Sequence, residues 1–248
     1  MTRLLGILLC LVCGRVASGQ TVDEIVEKHL AALGGRAALA KLTSRQMTGL
    51  IVLSTPVGEL RGTVETQAAR PNKSRSLIKV DLTSLGGGPM TVDQRFDGNT
   101  GFVIDTMQGN RDVTGSQLEL MKANLFPSPL LNYKEAGVTV ELKGREKVGD
   151  RDAYALVVTP PAAAQARTPV RFFIDAETYL QSRIVVKVDI PQVGGEIEQT
   201  TDFSDYRDVD GFKVPFTIRA ASVVQTYTIT FTKVENNPKI DDAVFAKP

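Results

Sequence analysis

The sequence predicts a mainly β (α+β) protein, a strongly curved and incomplete antiparallel β-barrel of about 10–12 strands with short helices covering its concave side. Three observations carry this. Alternation of period two begins near Thr43 and persists almost to the end of the chain. Turn residues interrupt it at hairpin intervals: Asp97-Gly98-Asn99, Gly149-Asp150, Gly194-Gly195 and Asp210-Gly211. Helical spacing is confined to two short stretches, so the crossover helices that a parallel βαβ sheet needs are missing.

The elements follow in order. Arg3, the apolar run Leu4 to Val12 and the small-residue exit Val16-Ala17-Ser18-Gly19 read as a secretory signal peptide over residues 1–19. The apolar run falls short of the ~20 residues that span a bilayer. Cleavage before Gln20 removes Cys10 and Cys13, and with Arg3 and Arg15 it removes two positive charges, which takes the net charge from +1 to −1. A single domain over residues 20–248 is expected to remain. It opens on a helix: Thr21 and Glu24 have capping-box spacing, Val22, Ile25, Val26, His29, Leu30 and Leu33 make one apolar face, and Gly34-Gly35 end it. His29 on that face reads as a packed histidine.

Met47, Gly49, Ile51 and Leu53 then alternate with Thr48, Leu50 and Val52, and after a turn the pattern returns as Leu60, Gly62 and Val64 against Arg61, Thr63 and Glu65, a hairpin. Further strands are predicted at 73–82, 90–97, 102–107, 138–147, 154–159, 170–175, 180–190, 196–208, 212–221 and 225–235. Between Gly109 and Val138 the alternation stops. Ser116 and Glu119 have a second capping-box spacing, Leu118, Met121, Leu125 and Phe126 share a helical side, and Pro127 and Pro129 close the segment. Ala162 to Ala166 read as a loop.

A meander of this length curls, because strand twist accumulates. Its apolar phases are expected to face a hollow, with Phe96, Phe102, Ile104, Phe172, Ile174, Val186, Phe216, Tyr227 and Ile229 as cavity residues. Ile25 and Leu33 of the first helix and Leu118, Met121 and Leu125 of the second are the expected lid residues. A dry apolar hollow suits acyl chains, each buried CH₂ contributing about 0.8 kcal/mol.

Composition narrows the function. With 29 basic and 28 acidic residues there is no electrostatic reason to expect nucleic-acid binding. One His, and two Cys that both lie in the leader, argue against a Cys/His zinc site, a catalytic thiol or dithiol chemistry. Asp202, Asp205, Asp208 and Asp210 lack the order of an EF-hand loop and read as a solvated strand end. Glu196 and Glu198 share a strand phase but fall on the polar face. No catalytic residue, metal or cofactor is expected, and the protein is read as a non-enzyme.

Three segments resemble the LolA/LolB-like superfamily of periplasmic lipoprotein-sorting proteins: the helix Thr21 to Leu30 with Gly34-Gly35, the stretch Asp205-Tyr206-Arg207 with Val209-Asp210-Gly211-Phe212-Lys213-Val214-Pro215, and the ending Ile240 to Pro248. The resemblance implies an unclosed sheet with helices over its concave side and a hydrophobic cavity for lipoprotein acyl chains. It implies a periplasmic lipid or lipoprotein carrier, with lipid acyl chains or lipidated proteins as ligands and a membrane-protein donor or acceptor as partner. A monomer is expected, not lipid-anchored, since no anchoring cysteine of the outer-membrane acceptor type is present in the domain. The resemblance also implies an arginine that latches the lid, for which Arg61 and Arg75 in the early strands are candidates. The alternative reading is an envelope-stress sensor or regulatory interaction module on the same fold.

Overall fold

The computed structural model describes residues 20–55, 58–83, 86–161, 169–190, 195–223 and 225–248. The proposed leader, the Pro56-Val57 turn and the Ala162 to Ala166 loop lie outside the described residues. Thirteen strands form one antiparallel sheet. They are β1 (Ser44–Thr55), β2 (Gly58–Ala69), β3 (Lys73–Asp81), β4 (Pro89–Phe96), β5 (Gly101–Asp105), β6 (Arg111–Val113), β7 (Thr139–Val148), β8 (Arg151–Thr159), β9 (Val170–Asp175), β10 (Gln181–Ile190), β11 (Gly195–Val209), β12 (Phe212–Ala221) and β13 (Thr226–Asn236). The order β6-β5-β4-β3-β2-β1-β13-β12-β11-β10-β9-β8-β7 pairs the first strand with the last and leaves β6 and β7 as the two edges. The sheet is therefore open, and the chain crosses from one edge to the other through residues 114–138.

Among the described residues three α-helices accompany the sheet, α1 (Val22–Ala32), α2 (Arg36–Leu39) and α3 (Gly115–Ala123), with a 3-10 turn at Asp242–Val244. The capping box of α1 forms as its sequence requires. The amide of Glu24 donates to Thr21 Oγ1 at 3.2 Å, and that of Thr21 donates to Glu24 Oε2 at 3.0 Å. The box predicted at Ser116 and Glu119 does not start α3. The helix begins at Gly115, and Glu119 is a buried side chain paired with Lys122 at 3.0 Å. Strand β6 was not expected, because three residues are too few to display alternation.

α1 and α2 lie on the inner face of the sheet. Ile25, Val26, Leu30, Leu39 and Leu42 form one buried cluster with Ile51, Val64, Val80, Leu156, Ile174, Phe216, Ile229 and Phe231. Each fully buried aliphatic of α1 contributes about 1.5–3 kcal/mol, which is what holds so short a helix in place. The link after α1 comes close to the β11–β12 turn. Gly34 has φ +129°, and a Cβ there would stand 2.6 Å from the carbonyl oxygen of Gly211, so a side chain is excluded twice over.

Two arginines fasten the helices. Arg36 bonds both to Glu27 and to the carbonyl of Leu131, joining α2 to the segment before β7. Arg70, at the β2–β3 corner, donates to the carbonyls of Leu42 at 2.7 Å and Leu39 at 2.8 Å, the last turn of α2 and the residues just after it. Neither sequence candidate for such a role reaches a helix: Arg61 pairs with Glu59 and Arg75 with Asp93.

Candidate functional site

Cross-strand partners in a sheet point to the same face. Register therefore sorts the side chains. Val158, Val170 and Val186 stand opposite one another across β8, β9 and β10, as do Leu156, Phe172 and Ile184. Together they pave the inner face with aliphatic and aromatic groups. Helix α3 lies over this floor and leaves a cavity of about 330 Å³, closed from the helix side by Leu120 and Met121. Its polar side chains are Gln117 and Asn124. This volume falls at the low end of the ~300–1,000 Å³ common for ligand pockets.

A second cavity, of about 320 Å³, shares Asn124, Pro129, Phe172 and Ile184 with the first. Its remaining wall is more polar, with His29, Arg45, Gln181, Tyr206 and Lys213. His29 is 3% exposed, and its Nδ1 lies 2.8 Å from the carbonyl oxygen of Tyr179. A carbonyl only accepts, so Nδ1 carries the proton. Burial pushes the imidazole below its usual pKa and keeps it neutral. The phenol of Tyr206 donates to the carbonyl of Gln181 at 2.8 Å, and burial raises its pKa. Arg45 donates from Nε to Asn236 Oδ1 at 2.8 Å. Burial lowers the Arg45 pKa to about 10, which still leaves it charged at neutral pH. Among the described residues the Nε2 of Gln181 is buried without a hydrogen-bond partner.

A third cavity, of about 350 Å³, lies at the β6 edge between Phe102, Asp112, Leu118, Phe245 and Lys247. It is separate in its lining from the other two.

The residues expected to form the hollow divide among these regions. Phe172 and Val186 line the apolar cavity, as does Met121 from the lid set. Leu33 lines the second cavity. Ile174, Phe216, Ile229 and Ile25 are instead part of the solid core, with Tyr227 packed against it. Phe96 is fully buried on the inner face, where its cross-strand partner is Gly101. Phe102 and Ile104 do not share that face. They pair with Arg95 and Asp93, so they point to the outer side, where Phe102 lies under the ammonium of Lys247 at 4.5 Å. The expectation for these two is corrected: Phe102-Val103-Ile104 is a continuous apolar run, and alternation cannot choose its phase. Leu118 faces the third cavity, and Leu125 lines none of the three. Leu120 and Arg45 were missed. Arg45 could have been found, since it continues the inward phase of Met47, Gly49, Ile51 and Leu53.

Carboxylates considered for chemistry are engaged or exposed. Asp202 pairs with Arg183 and Asp205 with Arg207, while Asp208 accepts from the amide of Gly211. Glu196 and Glu198 are exposed. Among the described residues, no three His, Cys, Asp or Glu side chains converge as metal ligands would.

No family model matches the chain, and no curated protein matches it by sequence. Solved structures do match its architecture. A LolA superfamily protein from Nitrosomonas europaea superposes with a TM-score of 0.56 at 14% identity, over 92% of this chain and 99% of that one. A DUF1329 family protein from Desulfovibrio piger gives 0.57 at 14% identity, over 91% and 97%. A domain from Vibrio parahaemolyticus, provisionally described as an outer membrane lipoprotein-sorting protein, gives 0.54 at 10% identity, over 90% and 94%. The fold is LolA-like.

Proposed function

We propose that this protein binds lipid acyl chains, free or carried on lipidated proteins, and transports them across the periplasm without chemical conversion. One observation carries the reading: the apolar cavity that α3 makes with the inner-face ladders of β8, β9 and β10. Filling it would bury methylenes at about 0.8 kcal/mol each, a driving force that needs no covalent step. Neighbouring structures described as LolA superfamily and lipoprotein-sorting proteins support the reading at the level of fold.

In this scheme α3 is the element that moves. It crosses between two unpaired sheet edges, so its displacement breaks no strand ladder. α1 and α2 are held by the core and by Arg36 and Arg70 and act as a fixed wall. Residues 1–19 act as an export leader, and the remaining domain works as a monomer. Ligand passes to a membrane-bound donor or acceptor whose own site binds it more tightly.

The test is native mass spectrometry with lipid extraction on protein purified from the periplasm, joined to displacement of the neutral probe N-phenyl-1-naphthylamine. Co-purified lipid or displacement by acyl compounds is expected. Absence of both would refute the carrier reading and favour the sensor or interaction-module alternative.

A further inference from the structure

The second cavity has a chemistry that acyl binding alone does not use. Arg45 is charged and largely enclosed, and among the described residues no acid pairs with it: its one side-chain bond goes to the amide oxygen of Asn236. No Asp or Glu lines the cavity; the other cation in its wall, Lys213, stands 3.9 Å from Asp208, so among the described residues Arg45 is the cation without an acid beside it. The amide nitrogen of Gln181, buried in the same wall, finds no acceptor among the described residues. Buried donors and buried cations are retained where something accepts from them. An alkyl chain cannot. The apolar cavity adjoins this one, the two having Asn124, Pro129, Phe172 and Ile184 in both walls.

We infer that the two cavities form one site for a single-chain amphiphile with an anionic head group, the head on Arg45 and Gln181 and the chain passing Phe172 and Ile184 into the space beneath α3. The inference rests on the acyl-chain reading above and narrows it. A guanidinium fork suits a carboxylate or a phosphate equally, so a free fatty acid and a lysophosphatidic acid share the required chemistry. A neutral ester or amide offers an acceptor but no charge. Among the described residues one apolar cavity adjoins the head chamber, which provides for one chain per head.

The test compares palmitate, palmitoyl lysophosphatidic acid and methyl palmitate as displacers of N-phenyl-1-naphthylamine from the mature chain, wild type and Arg45→Gln. At least one anion should bind about tenfold or more tightly than the ester, the gain expected of a charge-assisted bond, and which anion does so identifies the head as carboxylate or phosphate. In Arg45→Gln the anion-to-ester ratio should fall to near one. Equal binding of all three compounds to the wild type, or an unchanged ratio in the variant, overturns the inference while leaving acyl binding intact. Should Arg45→Gln not fold, Gln181→Leu provides the second variant, with the ratio expected to drop about threefold or more. A probe that neither binds nor is displaced by anything refutes the acyl-chain reading itself.

Discussion

Val186 and Lys187 are neighbours on β10 with opposite fates. Val186 lines the apolar cavity opposite Val170, while Lys187 is exposed and stands in register with Glu198. Replacing each with glutamate inserts the same charge one residue apart, on opposite faces of one strand. For Val186→Glu, a ligand entering the cavity must displace water from a carboxylate that has no cationic partner among the lining residues. A partly hydrated site sets the cost at the low end for buried charge, about 2–3 kcal/mol. That corresponds to a rise in Kd of roughly 30- to 150-fold. Lys187→Glu should leave Kd within about twofold, because a single exposed charge changes little at neutral net charge. Titration with N-phenyl-1-naphthylamine reads Kd, and urea unfolding of the same samples reports stability. Val186→Gln separates charge from shape: it should weaken binding less than Val186→Glu. Equal effects of the two glutamates on Kd would mean that the cavity under α3 is not where the ligand sits.

Two further predictions concern the frame around the cavity. Burial opposes ionisation of Asp175, but bonds from Arg151, Thr178 and Glu177 outweigh it and hold the carboxyl at about 2, against an ordinary 3.8. A depressed carboxylate stabilises the fold above its unfolded pKa and loses that contribution as pH falls from about 4 toward 2, up to roughly 2 kcal/mol. Asp175→Asn should therefore be less stable in urea at pH 7, with the deficit shrinking below pH 4; a deficit independent of pH would refute the electrostatic account. Arg70→Met leaves the carbonyls of Leu39 and Leu42 without their charged donor, a loss of about 1–3 kcal/mol after water replaces part of it. Hydrogen exchange should quicken in α2 before it does in β1 or β13, and a uniform increase across the sheet would show that Arg70 supports the whole fold and not the helix alone.

Much of this architecture is legible because the signal is local. Period-two alternation locates the strands, and β9 and β12 begin and end where the pattern does. The α1 capping box is likewise a four-residue relationship that the chain satisfies unaided. Information fails where the relevant contact is distant. Arg70 reaches α2 across about thirty residues of chain, and nothing in the neighbourhood of Arg61, Arg70 or Arg75 marks which one meets a helix carbonyl. The start of α3 misled for a related reason: Glu119 has the right spacing for a cap but is drawn into burial beside Lys122.

Phase errors and the second cavity have a common origin. A strand displays which residues alternate, but its facing is settled by register with its neighbours. Phe102-Val103-Ile104 offers an apolar residue to both faces, and the pairing of Phe96 with Gly101 decides the matter against Phe102 and Ile104. Arg45 is the converse case. Its phase is unambiguous, since it shares the inward phase of Met47, Gly49 and Ile51. The informative departure in an alternating sheet is the polar group on the apolar phase, because burying it costs free energy that only a partner can offset. Within the described residues Arg45 has half a partner, the neutral oxygen of Asn236. A carrier for uncharged acyl chains has no use for that arrangement. A carrier that holds an anionic head at one end of its cavity does, and the cost of keeping a guanidinium there when empty is what would make release and capture sensitive to the head group as well as the tail.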